Sequence, residues 1–144
     1  MTRSIRALLL FCGAISLSTS IFAQAKADLG KNEYDARCAV CHGATGKGDG
    51  PYVSMLRIEV MPDLTTLQAR NAGVYPFERV YETIDGRRAI KAHGTSDMPI
   101  WGHRYLEEAK GAYYEYPDAP YLPAYHARAR ILALTEYLSR IQAK

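Results

Sequence analysis

The segment RCAVCHGATGKGDGP, Arg37 to Pro51, holds two cysteines separated by two residues, a histidine joined to the second, and then glycines at Gly43, Gly46, Gly48 and Gly50. On a helix, Cys38, Cys41 and His42 fall at i, i+3 and i+4, so their side chains share one face within a single turn. The glycines end that helix and let the chain turn tightly behind it. The stretch presents two thiols and an imidazole together, then a backbone able to lie close against whatever they hold.

C-x-x-C-H is the sequence mark of c-type haem attachment. The thiols of Cys38 and Cys41 suit two thioether bonds to the vinyl groups on one haem edge, and the His42 imidazole suits the iron. Three other uses of the residues explain less. A thioredoxin-like redox pair needs a βαβ setting, and no strand pattern is present. A structural zinc needs four ligands, and there is no second cysteine pair. A plain disulfide leaves the adjacent histidine unexplained. With haem, His42 coordinates through Nε2 as a neutral imidazole while its Nδ1–H donates to a backbone carbonyl, expected near Gly50 or Pro51.

The chain of 144 residues is enough for one domain. Its first residues read as an export signal. Arg3 and Arg6 stand before an apolar run from Ala7 to Leu17, and Ala23-Gln24-Ala25 has the small-x-small form of a cleavage site. That run is too short for a permanent membrane span. A signal peptide over residues 1–25 is expected, cut after Ala25 or alternatively after Ala23. Cys12 would leave with it, and Phe11 before Cys12 argues against a lipoprotein. The formal net charge of +3 then falls, because losing Arg3 and Arg6 leaves 16 basic against 15 acidic residues. With no basic cluster left, nucleic acid is not expected as a partner.

The remainder, residues 26–144, reads as all-α. A first helix is expected from Asp28, its cap, to His42, with Leu29, Tyr34, Val40 and Cys41 on a patchy apolar face. A short helix is expected over Thr65 to Asn71. A third begins at Pro76, with Phe77, Val80, Tyr81 and Ile84 on one face and Gly86 past its end. A loop, Arg87 to Gly102, holds His93 and Met98-Pro99. The last helix, about Ala124 to Ile141, buries Ile131, Leu134, Tyr137, Leu138 and Ile141.

A second axial iron ligand has six candidates past the leader: Met55, Met61, Met98, His93, His103 and His126. Met55 and Met61 follow His42 so closely that the chain would have to wrap the haem edge at once. Met98 follows after two helices, and Pro99 restricts it to an extended conformation that suits a ligand loop. Met98 is therefore the expected ligand, with His93 next.

The motif CAVCHG, the following GKGDGP, the segment IDGRRAIKAHGTSDMPIWG and a terminal helix with Leu134 and Tyr137 resemble a small class I cytochrome c. The resemblance spans about Leu29 to Trp101 and Ile131 to Ile141. It implies three to five helices wrapped around one covalent haem c, with Gly30 and Tyr34 packed closely against Tyr137. It also implies periplasmic electron transfer with His42/Met98 ligation, as a soluble carrier or as the electron-transfer subunit of a larger oxidoreductase. The expected partners are redox proteins, with membrane association only through a partner. A haem enzyme or gas-binding sensor with an open or displaceable sixth position is the alternative. One segment departs from the family pattern: Tyr105 to His126 holds six tyrosines and three prolines. It reads as a long loop, either laid over the fold or serving as a docking surface.

Overall fold

The computed structural model describes residues 27–58, 60–88, 98–112, 114 and 118–143. The expected leader and His93 lie outside the described residues. Among the described residues every regular element is helical: α1 (Leu29–Arg37), α2 (Ala39–His42), α3 (Pro51–Met55), α4 (Phe77–Asp85), α5 (Trp101–Ala112) and α6 (Leu122–Arg140), with 3₁₀ turns at Leu64–Thr66 and Ala69–Asn71. The all-α fold is as expected, and four of these helices have nine residues or more.

α1 starts where Asp28 predicts it, with the Asp28 carboxylate accepting the Lys31 backbone N–H at 3.0 Å. The expected single helix to His42 breaks at Cys38. This residue, at φ −107° and ψ −39°, caps α1 and opens α2. The short helix expected over Thr65 to Asn71 is two 3₁₀ turns. The Asp63 carboxylate takes the Thr65 N–H at 2.8 Å and its hydroxyl at 2.6 Å, which tightens the first turn locally. α4 buries Val80 and Ile84 and stops at Gly86, at φ 90°, while Phe77 is exposed.

The largest correction concerns Tyr105 to His126. It is not one long loop, because α5 covers its first third and α6 begins at Leu122, with Pro123 in the first turn. Trp101, Tyr105 and Ala109 recur at four-residue steps and are buried as one stripe. Leu106, Glu107, Glu108 and Lys110 between them are good helix formers. The dense tyrosines and prolines belong to the connection after α5 and to the start of α6, where proline is tolerated.

α6 is the hub, since α1, α4 and α5 each pack against it. Tyr34, Ile131 and Leu134 are among the fully buried side chains, and Cys38 and Met98 lie at the edge of the same cluster. Burying an aliphatic side chain such as Leu134 contributes about 1.5–3 kcal/mol. At the α1–α6 crossing, a Cβ on Gly30 would fall on the Ala133 carbonyl and stand 2.8 Å from Tyr137 Cβ. Only glycine lets the two backbones approach so closely. The Tyr34 and Tyr137 rings then pack at 5.2 Å, as the expected pairing of Gly30 and Tyr34 with Tyr137 requires. No helix of the described residues is long and apolar enough to cross a membrane.

Candidate haem site

Cys38, Cys41 and His42 are brought together on one turn. The Cys38 carbonyl accepts the Cys41 N–H at 3.1 Å and the His42 N–H at 2.8 Å. The thiols are not joined to each other. Burial, and after it the Glu33 carboxylate, pushes the Cys38 thiol up to about 12. That direction is the opposite of the depressed thiol a redox-exchange nucleophile uses. Among the described residues no group of three or more His, Cys, Asp and Glu side chains converges to hold a metal ion.

The glycines behind His42 fold the chain back onto the thiol turn. Gly48 N–H donates to the His42 carbonyl at 2.9 Å and Gly50 N–H to the Cys41 carbonyl at 3.2 Å. Gly48 has φ 81°, and a Cβ there would stand 2.6 Å from the Met61 carbonyl oxygen. A Cβ on Gly50 would meet the Val40 and Cys41 carbonyls at 2.5 Å. The His42 Nδ1 atom is buried. Sequence reasoning missed one support: the fully buried Tyr34 donates its hydroxyl to the Gly43 carbonyl at 2.6 Å, tying α1 to the residue after His42. No local signal marks that bond, because tyrosine at this position serves the core equally well without it.

The candidates for a second ligand separate by place. Met55 ends α3 with 69 % of its surface exposed. Met61 lies against Gly48, in the loop that follows His42. Met98 is partly buried and packs on the core cluster that Cys38 also borders. His103 is exposed on α5, and His126 is half-buried on α6.

A covalently bound haem suits this donor set. Two neighbouring thiols, one of them held neutral, stand beside a histidine with a buried Nδ1, and the loop behind them lies too close to admit a side chain at Gly50. Leu56, beside the end of α3, is apolar and exposed, like Met55, and α3 packs on the thiol helix, so a flat apolar ring there has surface to cover. Comparison with curated proteins and with solved structures gives no match. The cytochrome c family model matches residues 27–141, from the residue before Asp28 to the residue after α6, and so takes in the thiol turn, Met98 and the α1–α6 crossing. The chain belongs to the cytochrome c family, whose members carry covalent haem c and transfer electrons through it.

Proposed function

We propose that residues 26–144 form a periplasmic electron carrier with one haem, attached through Cys38 and Cys41 and ligated by His42 and Met98, working alone or as the electron-transfer subunit of an oxidoreductase. The observation that carries this reading is the presentation of both thiols and the imidazole on one turn in a chain that matches the cytochrome c family. When bound, the haem supplies a one-electron couple between ferric and ferrous iron. The protein's own residues hold and tune it. Tyr34 and the Gly48–Gly50 fold-back fix the end of the helix on which His42 sits. The neutral Cys38 and its neighbour Cys41 provide the attachment atoms. Met98, extended by Pro99, supplies a thioether that favours the reduced state and raises the potential. Redox proteins are the partners of such a carrier, and export follows from the leader pattern of residues 1–25, after which the family match begins at residue 27.

Replacing Met98 tests the ligation. Met98→Ala should open the iron to carbon monoxide and lower the reduction potential, whereas Met55→Ala and Met61→Ala should leave both nearly unchanged. A wild-type spectrum and potential in Met98→Ala, with both altered in His93→Ala, would establish bis-histidine ligation instead. Carbon monoxide binding by the unaltered reduced protein would favour the sensor or enzyme alternative over a carrier.

A further inference from the structure

α1, α5 and α6 meet around one tyrosine. Tyr105 is fully buried, and the guanidinium carbons of Arg37 and Arg130 each stand 5.3 Å from the centre of its ring. Arg37 also lies 5.7 Å from the Trp101 ring, which packs 5.8 Å from Tyr105. Two carboxylates close the arrangement. Glu33 of α1 accepts from Arg37 Nε at 3.1 Å and pairs with Arg130 Nε at 3.3 Å. Glu108 of α5 accepts from Arg37 Nη1 and Nη2, both at 2.9 Å, and from Arg130 Nη1 at 3.1 Å. The result is a neutral ring of alternating charges joining three helices, with the Glu33 side chain only 10 % exposed. Burial, reinforced by the facing Glu33 carboxylate, holds the Tyr105 hydroxyl proton in place.

An isolated surface ion pair contributes little. This ring differs because each carboxylate is shared, one contact is the two-pronged fork of arginine on carboxylate, and removing a member leaves the other three with one charge in excess beside the buried Tyr105. Apolar packing of Trp101, Tyr105 and Ala109 is non-directional, whereas the charged hydrogen bonds add a fixed direction and distance to it. The register of α5 matters because Met98 lies three residues before its first residue. Ile100 between them packs on Gly86, and a Cβ on Gly102 would stand 2.5 Å from the Asp85 carbonyl oxygen. Displacing α5 therefore displaces Met98.

The geometry points to the Glu33–Arg37–Glu108–Arg130 ring as the positioning device that sets the register of α5 and thereby holds Met98 at its ligand position. This rests on Met98 being the second axial ligand.

The test uses the ferric holoprotein with added imidazole as a competing ligand, its binding followed by absorption. Glu108→Gln and Arg130→Gln should each raise the affinity for imidazole about tenfold, equivalent to about 1.4 kcal/mol. Their effects should be less than additive in the double variant, since both act through one ring. Arg130→Lys should recover most of the wild-type behaviour by keeping the charge. Lys31→Gln, which breaks an exposed pair with Asp35 elsewhere on α1, should change nothing. Glu108 is the most exposed member of the ring at 38 %, so its substitution leaves the core intact. Variants that melt earlier but bind imidazole as weakly as wild type would overturn the proposal and leave the ring a purely structural clamp. A wild-type ferric spectrum without methionine-sulfur ligation would also overturn it, but through the ligation reading, and it is seen before any variant is made.

Discussion

The two sides of the candidate site are built in different ways. The His42 side is local: Cys38, Cys41, His42, the glycine fold-back and the Tyr34 bond to Gly43 span Tyr34 to Gly50, and the Tyr34–Gly43 bond crosses nine residues of sequence. The Met98 side is assembled from distant pieces. Its bracing bonds join Arg37 to Glu108 across 71 residues and Arg130 to Glu108 across 22. Local contacts form with little loss of chain entropy, whereas distant ones depend on the rest of the fold being in place. The His42 side should therefore be the sturdier of the two, and Met98 the part that yields first when the fold is perturbed.

The largest expected effect removes what both sides share. Gly30→Val forces α1 away from α6, because a side chain there collides with the Ala133 backbone, and the cost should exceed about 3 kcal/mol. In thermal unfolding this corresponds to a fall in melting temperature of more than roughly 10 °C. A variant that lost one side of the site and kept the other would show that the two are not coupled through the crossing.

Gly102→Ala should act on the Met98 side alone. The added methyl meets the Asp85 carbonyl, costing about 2 kcal/mol against a gain of about 1 kcal/mol in helix propensity. Imidazole should bind the ferric protein more tightly, with only a small fall in melting temperature. Tyr34→Phe should do the reverse. It leaves the buried Gly43 carbonyl without the Tyr34 hydroxyl, costing about 1–2 kcal/mol in unfolding measurements, while imidazole affinity stays at the wild-type level. If Tyr34→Phe changed imidazole binding as much as Gly102→Ala, the division into two sides would fail.

The smallest effect is one of pH. The Asp28 carboxyl is held below its ordinary value of 3.8, first by the Lys31 backbone N–H and then by Arg140. A depressed carboxylate contributes stability that is fully present above its unfolded value and fades as the pH falls through its folded one. The melting-temperature difference between wild type and Asp28→Asn should thus be constant above about pH 5 and shrink below about pH 3. A difference that instead grew towards acid would contradict this assignment.

The same division explains what was legible in the sequence. The thiol turn, the Asp28 cap, the Gly86 stop and the apolar stripe of α6 are each written within a few residues and are found where they were expected, except that Ile141 lies just past the end of α6 and is only partly buried. The contact of Gly30 and Tyr34 with Tyr137 is distant, yet the family resemblance supplied it. α5 was hidden although its own stripe is regular, because the tyrosines and prolines that follow dominate the composition of the whole segment. The charged ring left no trace, since Glu33, Arg37, Glu108 and Arg130 would look the same on a solvated helix face.

The central claim is that Cys38 and Cys41 hold a haem covalently, and the mass of the denatured, acid-extracted protein made with a cytochrome c maturation system tests it most directly. The expected mass is that of the chain from Lys26 plus one haem, and it should fall to the chain alone when both Cys38 and Cys41 are replaced by alanine. A wild-type protein that gives up its haem to acid extraction and shows the bare chain mass would contradict the account, because thioether bonds survive unfolding.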